Sequence, residues 1–237
     1  MPKNVERLPI LRVSEKGRSS ALDSVVTELP LTVILNNREV VTLLCSPTDL
    51  EYLAVGFLFS EGLIETKEDV KGIKVDGEVG VVRVEAKEVS SSYTPPQAEV
   101  ESDIRVSAAE VFKLVGEFAQ RSTVFKETGG VHSAALCDAK SILVFSEDIG
   151  RHNAIDKVLG ECLLKDIPTA GRLLITTGRV SSEILLKVAK RDVPLLVSKA
   201  APTNMGVKLA GDLGMTLIGF ARGKKMNIYT NEQRVVA

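Results

Sequence analysis

A chain of 237 residues, 44% hydrophobic and 26% charged, has ordinary globular composition and buries a core without covalent staples. Its formal charge of -1 gives no support to the non-specific nucleic-acid binding that rests on a basic surface, so any phosphate recognition should be local. Three scattered cysteines exclude a disulfide framework, no apolar run approaches the roughly 18 residues of a membrane span, and the start Met-Pro-Lys-Asn-Val-Glu-Arg lacks signal-peptide character, so a cytoplasmic protein is expected.

Residues 5–45 read as β structure, with strands over 5–13, 25–35 and 39–44 and a tight hairpin at Asn36-Asn37. An antiparallel sheet is expected there. Ser46-Pro47-Thr48-Asp49 predicts a helix start with Ser46 as N-cap and Pro47 at the first position; the helix buries Leu50, Leu53, Ala54, Phe57 and Leu58 and stops at Gly62. Asp76-Gly77 predicts a type I′ turn between two alternating strands. Residues 87–103 have no periodicity and are rich in Ser, Pro and Glu, which predicts a mobile loop and a boundary between an N-terminal lobe (1–103) and a C-terminal domain (104–237). Ser107 then caps a helix that buries Val111, Leu114, Val115 and Phe118.

Beyond Thr123 the pattern alternates: strands over 141–145, 172–176, 194–198 and 216–220, helices over 152–163, 180–190 and 203–213, and an edge strand around Asn227-Ile228-Tyr229. The fold class is α/β, or α+β overall: a mainly antiparallel β lobe with one helix, then a sheet covered by helices. The loops after these strands, carrying Arg151, His152, Arg179, Ser181, Lys199, Arg222, Lys224 and Lys225, should converge on one sheet edge. Cations beside helix N-termini suit a phosphate or pyrophosphate, although no P-loop or Rossmann fingerprint is present. Gly150, between strand and helix, is expected at positive φ. Gly129-Gly130-Val131-His132-Ser133-Ala134 supplies the other histidine; Ala134 stands where a zinc deaminase needs Glu and no Pro-Cys-x-x-Cys follows, so a catalytic zinc is not expected.

Several stretches, in this order, resemble the FdhD family of formate dehydrogenase accessory proteins. They are Ser60-Glu61-Gly62-Leu63-Ile64, Thr128 to Ala135, Glu147-Asp-Ile-Gly-Arg-His-Asn-Ala-Ile-Asp-Lys-Val158, Gly178-Arg-Val-Ser-Ser-Glu183, Ala201-Pro-Thr203 and Gly219-Phe-Ala-Arg-Gly223. The resemblance implies a C-terminal three-layer domain of cytidine-deaminase type without zinc. It also implies transfer of sulfur from a cysteine desulfurase to the molybdenum bis-guanine-dinucleotide cofactor (Mo-bis-MGD) before its insertion into formate dehydrogenase, and a homodimer. Phe220, Ala221, Arg222, Gly223, Lys224 and Lys225 would form the cofactor-binding stretch, joined by His132, Arg151, His152, Arg179 and Ser181.

One departure bears on mechanism. Family sulfur carriers hold the persulfide on a loop Cys-x-x-Cys, whereas here that stretch reads Ser91-Ser92-Tyr93-Thr94-Pro95-Pro96, with Tyr93 and Pro96 near the cysteine positions. Neither holds transferable sulfur. Cys45, Cys137 and Cys162 all read as packed residues, Cys137 being the candidate substitute because Asp138-Ala139-Lys140 reads as an exposed turn. A second reading is a deaminase-like small-molecule enzyme using His132 or His152 with Asp148 as acid and base.

Overall fold

A computed structural model describes residues 4–87 and 99–236. The chain opens with an antiparallel ribbon of β1 (Val5–Ser14) and β2 (Gly17–Val26). The strand expected over 25–35 is therefore broken at Thr27 and Glu28, and β3 (Leu29–Leu35) begins a separate sheet. Asn36 and Asn37, at φ 48 and 63, turn β3 into antiparallel β4 (Arg38–Cys45) as expected. Next come α1 (Leu50–Glu61), ended by Gly62 at φ 81, then β5 (Val70–Asp76) and β6 (Val81–Ala86). The order in this sheet is β4-β3-β6-β5, antiparallel except where β6 runs parallel to β3.

Two expected turns differ, each for a packing reason. Helix α1 starts at Leu50 rather than Pro47 because Ser46 is committed elsewhere: its amide donates to Asp148 and its hydroxyl accepts from the Ile149 amide. The turn after β5 is longer than two residues, since Asp76 pairs with Val81 and the positive φ falls on Gly80. A side chain there would meet the Pro30 carbonyl at 2.3 Å.

After β7 (Val106–Ser107), Ser107 and Glu110 form a capping box on α2 (Ala108–Arg121), whose buried face is the one its spacing predicts. The short α3 (Thr123–Thr128) and β8 (His132–Cys137) are unannounced by periodicity. The expected alternation then appears as β9 (Ile142–Asp148), α4 (Arg151–Leu164), β10 (Leu173–Thr176), α5 (Ser182–Ala189), β11 (Leu195–Ser198), α6 (Asn204–Asp212) and β12 (Thr216–Arg222). β13 (Lys225–Thr230) is the antiparallel edge strand, and β14 (Val235–Val236) pairs with β7.

The six-stranded sheet has the order β13-β12-β11-β10-β8-β9. β10, β11 and β12 are mutually parallel, and β8 lies antiparallel between β10 and β9. Consequently the carboxyl ends of β9 to β12 and the amino end of β8 share one edge. Alternate residues face opposite cores: Leu136, Leu174, Leu196 and Leu217 join α1, α4 and α5, while Cys137, Leu173, Leu195 and Ile218 join α2. That alternation makes three layers of an α/β fold.

The first of these cores also contains Leu31, Val33 and Val82, so one apolar cluster runs through both halves of the chain. At its centre α1 crosses α4 with backbone against backbone. A Cβ on Gly56 would lie 1.8 Å from the Asp156 carbonyl oxygen, and one on Gly160 would lie 2.0 Å from that of Tyr52. Part of the stretch expected to be a mobile loop is docked: Val100 is buried, its amide donates to Leu213, and Arg234 donates to its carbonyl. Residues 88–98, including Tyr93 and Pro96, lie outside the described residues.

Gly160→Ala should therefore cost about 3 kcal/mol or more, because overpacking here meets rigid backbone rather than a side chain that can turn aside. Urea unfolding measures it; an unchanged midpoint would refute the crossing.

Candidate functional site

The turn from β9 into α4 is built on a buried carboxylate. Asp148 pairs with Lys157 at 2.7 Å, both side chains being fully buried, and accepts from the Ser46 amide at 3.0 Å, the Gly150 amide at 2.9 Å and Asn153 Nδ2 at 2.8 Å. Asn153 Nδ2 also donates to the Leu44 carbonyl at 2.8 Å. Gly150 is extended at φ -97, not at the expected positive φ. What it supplies is space, since a Cβ there would approach the pinned Asn153 Nδ2 to 2.8 Å.

Consecutive residues on a helix diverge by about 100°, and this separates Arg151 from His152. Arg151 packs under Gly178, where a Cβ would lie 2.8 Å from its own, and its Nε has no hydrogen-bond partner. His152 lines a different cleft, between α1, α4 and α5.

At the shared sheet edge lies a cleft of about 650 Å³ whose polar lining includes Lys126, His132, Thr177, Lys199 and Arg222. Among the described residues no carboxylate lines it. Arg222 Nε donates to the Lys199 carbonyl at 2.9 Å, which holds the guanidinium beside the Lys199 ammonium. Burial, then the neighbouring Arg222, holds that ammonium below its usual range. Two adjacent cations make this part of the lining locally positive.

His132 is tied to the loop after β10. Thr177 Oγ1 accepts from the Ser133 amide at 3.0 Å and lies within hydrogen-bond distance, 3.1 Å, of His132 Nδ1. Burial, then Arg151, lowers the His132 pKa from 6.5, which leaves the ring neutral at pH 7. Phe125, half exposed on α3, supplies an aromatic wall.

Of the stretch 220–225, Arg222 alone lines this cleft. Phe220 is exposed at φ 53 on the β12 bulge, Ala221 is buried in the α2-side core, Gly223 and Lys224 form the turn, and Lys225 opens β13. Arg179 is exposed on its loop, and Ser181 is the N-cap of α5 with its hydroxyl unpartnered. Thr177 and Lys199 stand in two of the loops read as convergent; Phe125 and Lys126 belong to the short helix that carries no sequence signal.

The acid-base reading loses its carboxylate, because Asp148 is consumed by Lys157, and its two histidines lie in separate clefts. Cys45, Cys137 and Cys162 are buried, and burial above all pushes each thiol up to about 12. The exposed turn after Cys137 leaves Cys137 itself inaccessible. Among the described residues no group of three His, Cys, Asp or Glu has metal-binding spacing, and no helix is long and apolar enough to cross a membrane.

Removing one partner of the central ion pair strands the other. Lys157→Met should cost about 3–5 kcal/mol through the uncompensated Asp148 carboxylate; denaturant titration reads it, and a loss below about 1 kcal/mol would mean the pair does not organise the turn.

The model of the FdhD/NarQ family matches residues 26–100 and 91–236. The sulfur carrier protein FdhD of Bacillus pumilus (strain SAFR-032) is 38% identical over 99% of this chain and 99% of its own length. That of Bacillus subtilis (strain 168) is 40% identical over 93% of this chain and 94% of its own. A crystal structure from Desulfotalea psychrophila, described as a formate dehydrogenase accessory protein, superimposes with a TM-score of 0.92 and 28% identity, covering 99% of this chain and 100% of that one. With its motifs, its fold and these full-length matches in agreement, the chain belongs to the FdhD/NarQ family.

Proposed function

We propose that this chain is an accessory protein for formate dehydrogenase that holds the guanine-dinucleotide end of Mo-bis-MGD in the sheet-edge cleft and does not itself carry the sulfur. The observation that carries the first half is a lining with Lys199 and Arg222 side by side and, among the described residues, no carboxylate, which favours a pyrophosphate. Phe125 provides a face on which a base can stack, and the volume suits one nucleotide end of the cargo. The second half rests on the thiols. A persulfide carrier needs a thiolate that a desulfurase can reach, and the chain's three cysteines are all buried with raised pKa values. Any exchange with a desulfurase must then involve a thiol on another protein, while this chain positions the cofactor.

GDP should stabilise the protein by ~2.7 kcal/mol at a hundred times its dissociation constant. Lys199→Ala with Arg222→Ala should abolish the shift while the uncomplexed protein still melts cooperatively. Because burial and Arg151 lower the His132 pKa, acidification charges the ring and adds a cation, so relative to a variant without the imidazole GDP affinity should rise as pH falls. In His132→Gln that part of the rise should vanish. A GDP shift that survives the double substitution places the nucleotide elsewhere.

Incubation with a cysteine desulfurase and cysteine should leave the intact mass unchanged, without the about 32 Da that each added sulfur brings. A persulfide on Cys137 that disappears when the cofactor is supplied would restore a carrier mechanism.

A further inference from the structure

A second cleft, of about 420 Å³, opens where the end of α1 meets the first turns of α4 and α5, and it shares no lining residue with the first. Three of the stretches that carry the family resemblance meet in it, through Ser60 and Glu61, His152 to Asp156, and Glu183. Its floor is a buried ion pair: Lys187 Nζ donates to both Asp156 carboxylate oxygens, at 2.8 and 2.7 Å, and Ser60 Oγ donates to one of them at 2.7 Å. An apolar pair of the same size would be as stable or more so, so charge buried beneath a cleft suggests a use beyond holding the fold.

The cleft differs from the anion site in carrying both signs of charge. Glu183 is 76% exposed, and Glu61, also on the rim, stands 3.8 Å from Lys187 Nζ. His152 Nε2 has no hydrogen-bond partner and lies 4.0 Å from Glu183 Oε2, an interval that a donor placed between them would close. Burial, then Arg151, lowers the His152 pKa from 6.5, so at pH 7 the ring is neutral and one nitrogen can accept. Lys190 lines the same cleft and donates to the Ser60 carbonyl at 3.5 Å. Leu43, Phe57 and Leu186 give it an apolar wall.

Phosphate is disfavoured here by the carboxylates, and the acidic groups are not spaced for a metal ion. A ligand that matches the whole lining offers an ammonium, a carboxylate and an apolar side chain. We propose that this cleft binds a free α-amino acid, its ammonium among Glu61, Glu183 and His152, its carboxylate toward Lys190 and its side chain against Leu43, Phe57 and Leu186. The inference does not depend on nucleotide binding at the sheet edge.

The test is calorimetric titration and thermal melting of the full chain with each standard L-amino acid, L-leucine and L-methionine first. Isopentylamine and isocaproate serve as controls that each keep one of leucine's charges. At least one amino acid should bind saturably while its one-charge analogues do not. Glu183→Gln and Lys190→Met should each weaken that binding roughly tenfold, as expected for loss of one charged hydrogen bond. Both variants should melt cooperatively and keep the parent's response to GDP, whatever that is. Absence of binding by every amino acid, equal binding of a one-charge control, or unchanged affinity in both variants would overturn the proposal.

Discussion

Everything in this fold depends on the contact between α1 and α4, where Gly56 and Gly160 let two backbones touch. Two successive residues of α4, Asp156 and Lys157, leave the helix in different directions from this crossing and make the two buried ion pairs. Lys157 reaches Asp148 and the Ser46 carbonyl; Asp156 reaches Lys187 and Ser60. Ser46 precedes α1 and Ser60 lies in its last turn, so both halves of the chain are registered by charges that cannot be moved independently. Such pairs add little net stability over apolar packing, but breaking either one is costly, which makes them strong determinants of a single arrangement.

The crossing also explains why two clefts exist. Because α4 begins at a turn pinned by Asp148, its first two side chains part at once, Arg151 toward the sheet edge and His152 toward α1 and α5. The sheet-edge cleft collects cations from loops after parallel strands, with no carboxylate among its described lining residues. The other cleft collects charges of both signs from helix surfaces. Among the described residues this turn gives Ile149 to the lining of the first cleft and His152 and Asn153 to that of the second.

Much of this was legible in the sequence where the signal is local. The capping box of Ser107 and Glu110 and the apolar spacing of α2 predict that helix and its buried face, and alternation of short apolar runs predicts the order from β9 to β12. The convergence of loops on one edge follows from that alternation. What was not legible depends on distant partners. Ser46-Pro47 looks like a helix start, but Ser46 is taken by Asp148, a hundred residues away. Gly150 looks like a left-handed turn, but its requirement is room for Asn153. β2 shows no strict alternation of apolar and polar residues, and its pairing with β1 makes it a strand. Neighbouring Arg151 and His152 look like one site in the sequence and are two in space.

Family membership and the thiols pull in different directions. The relatives named as sulfur carriers match along the whole chain, while its cysteines are packed in apolar surroundings. The proposed function, holding the cofactor without relaying sulfur, reconciles the two. The most direct measurement is native mass spectrometry of the chain purified from a host that makes the bis-guanine-dinucleotide cofactor, followed by denaturation of the same sample. The account predicts a non-covalent adduct containing guanine dinucleotide that is released on denaturation, leaving a polypeptide without added sulfur. A chain that emerges without cofactor, or one whose cysteines carry persulfide, would contradict it.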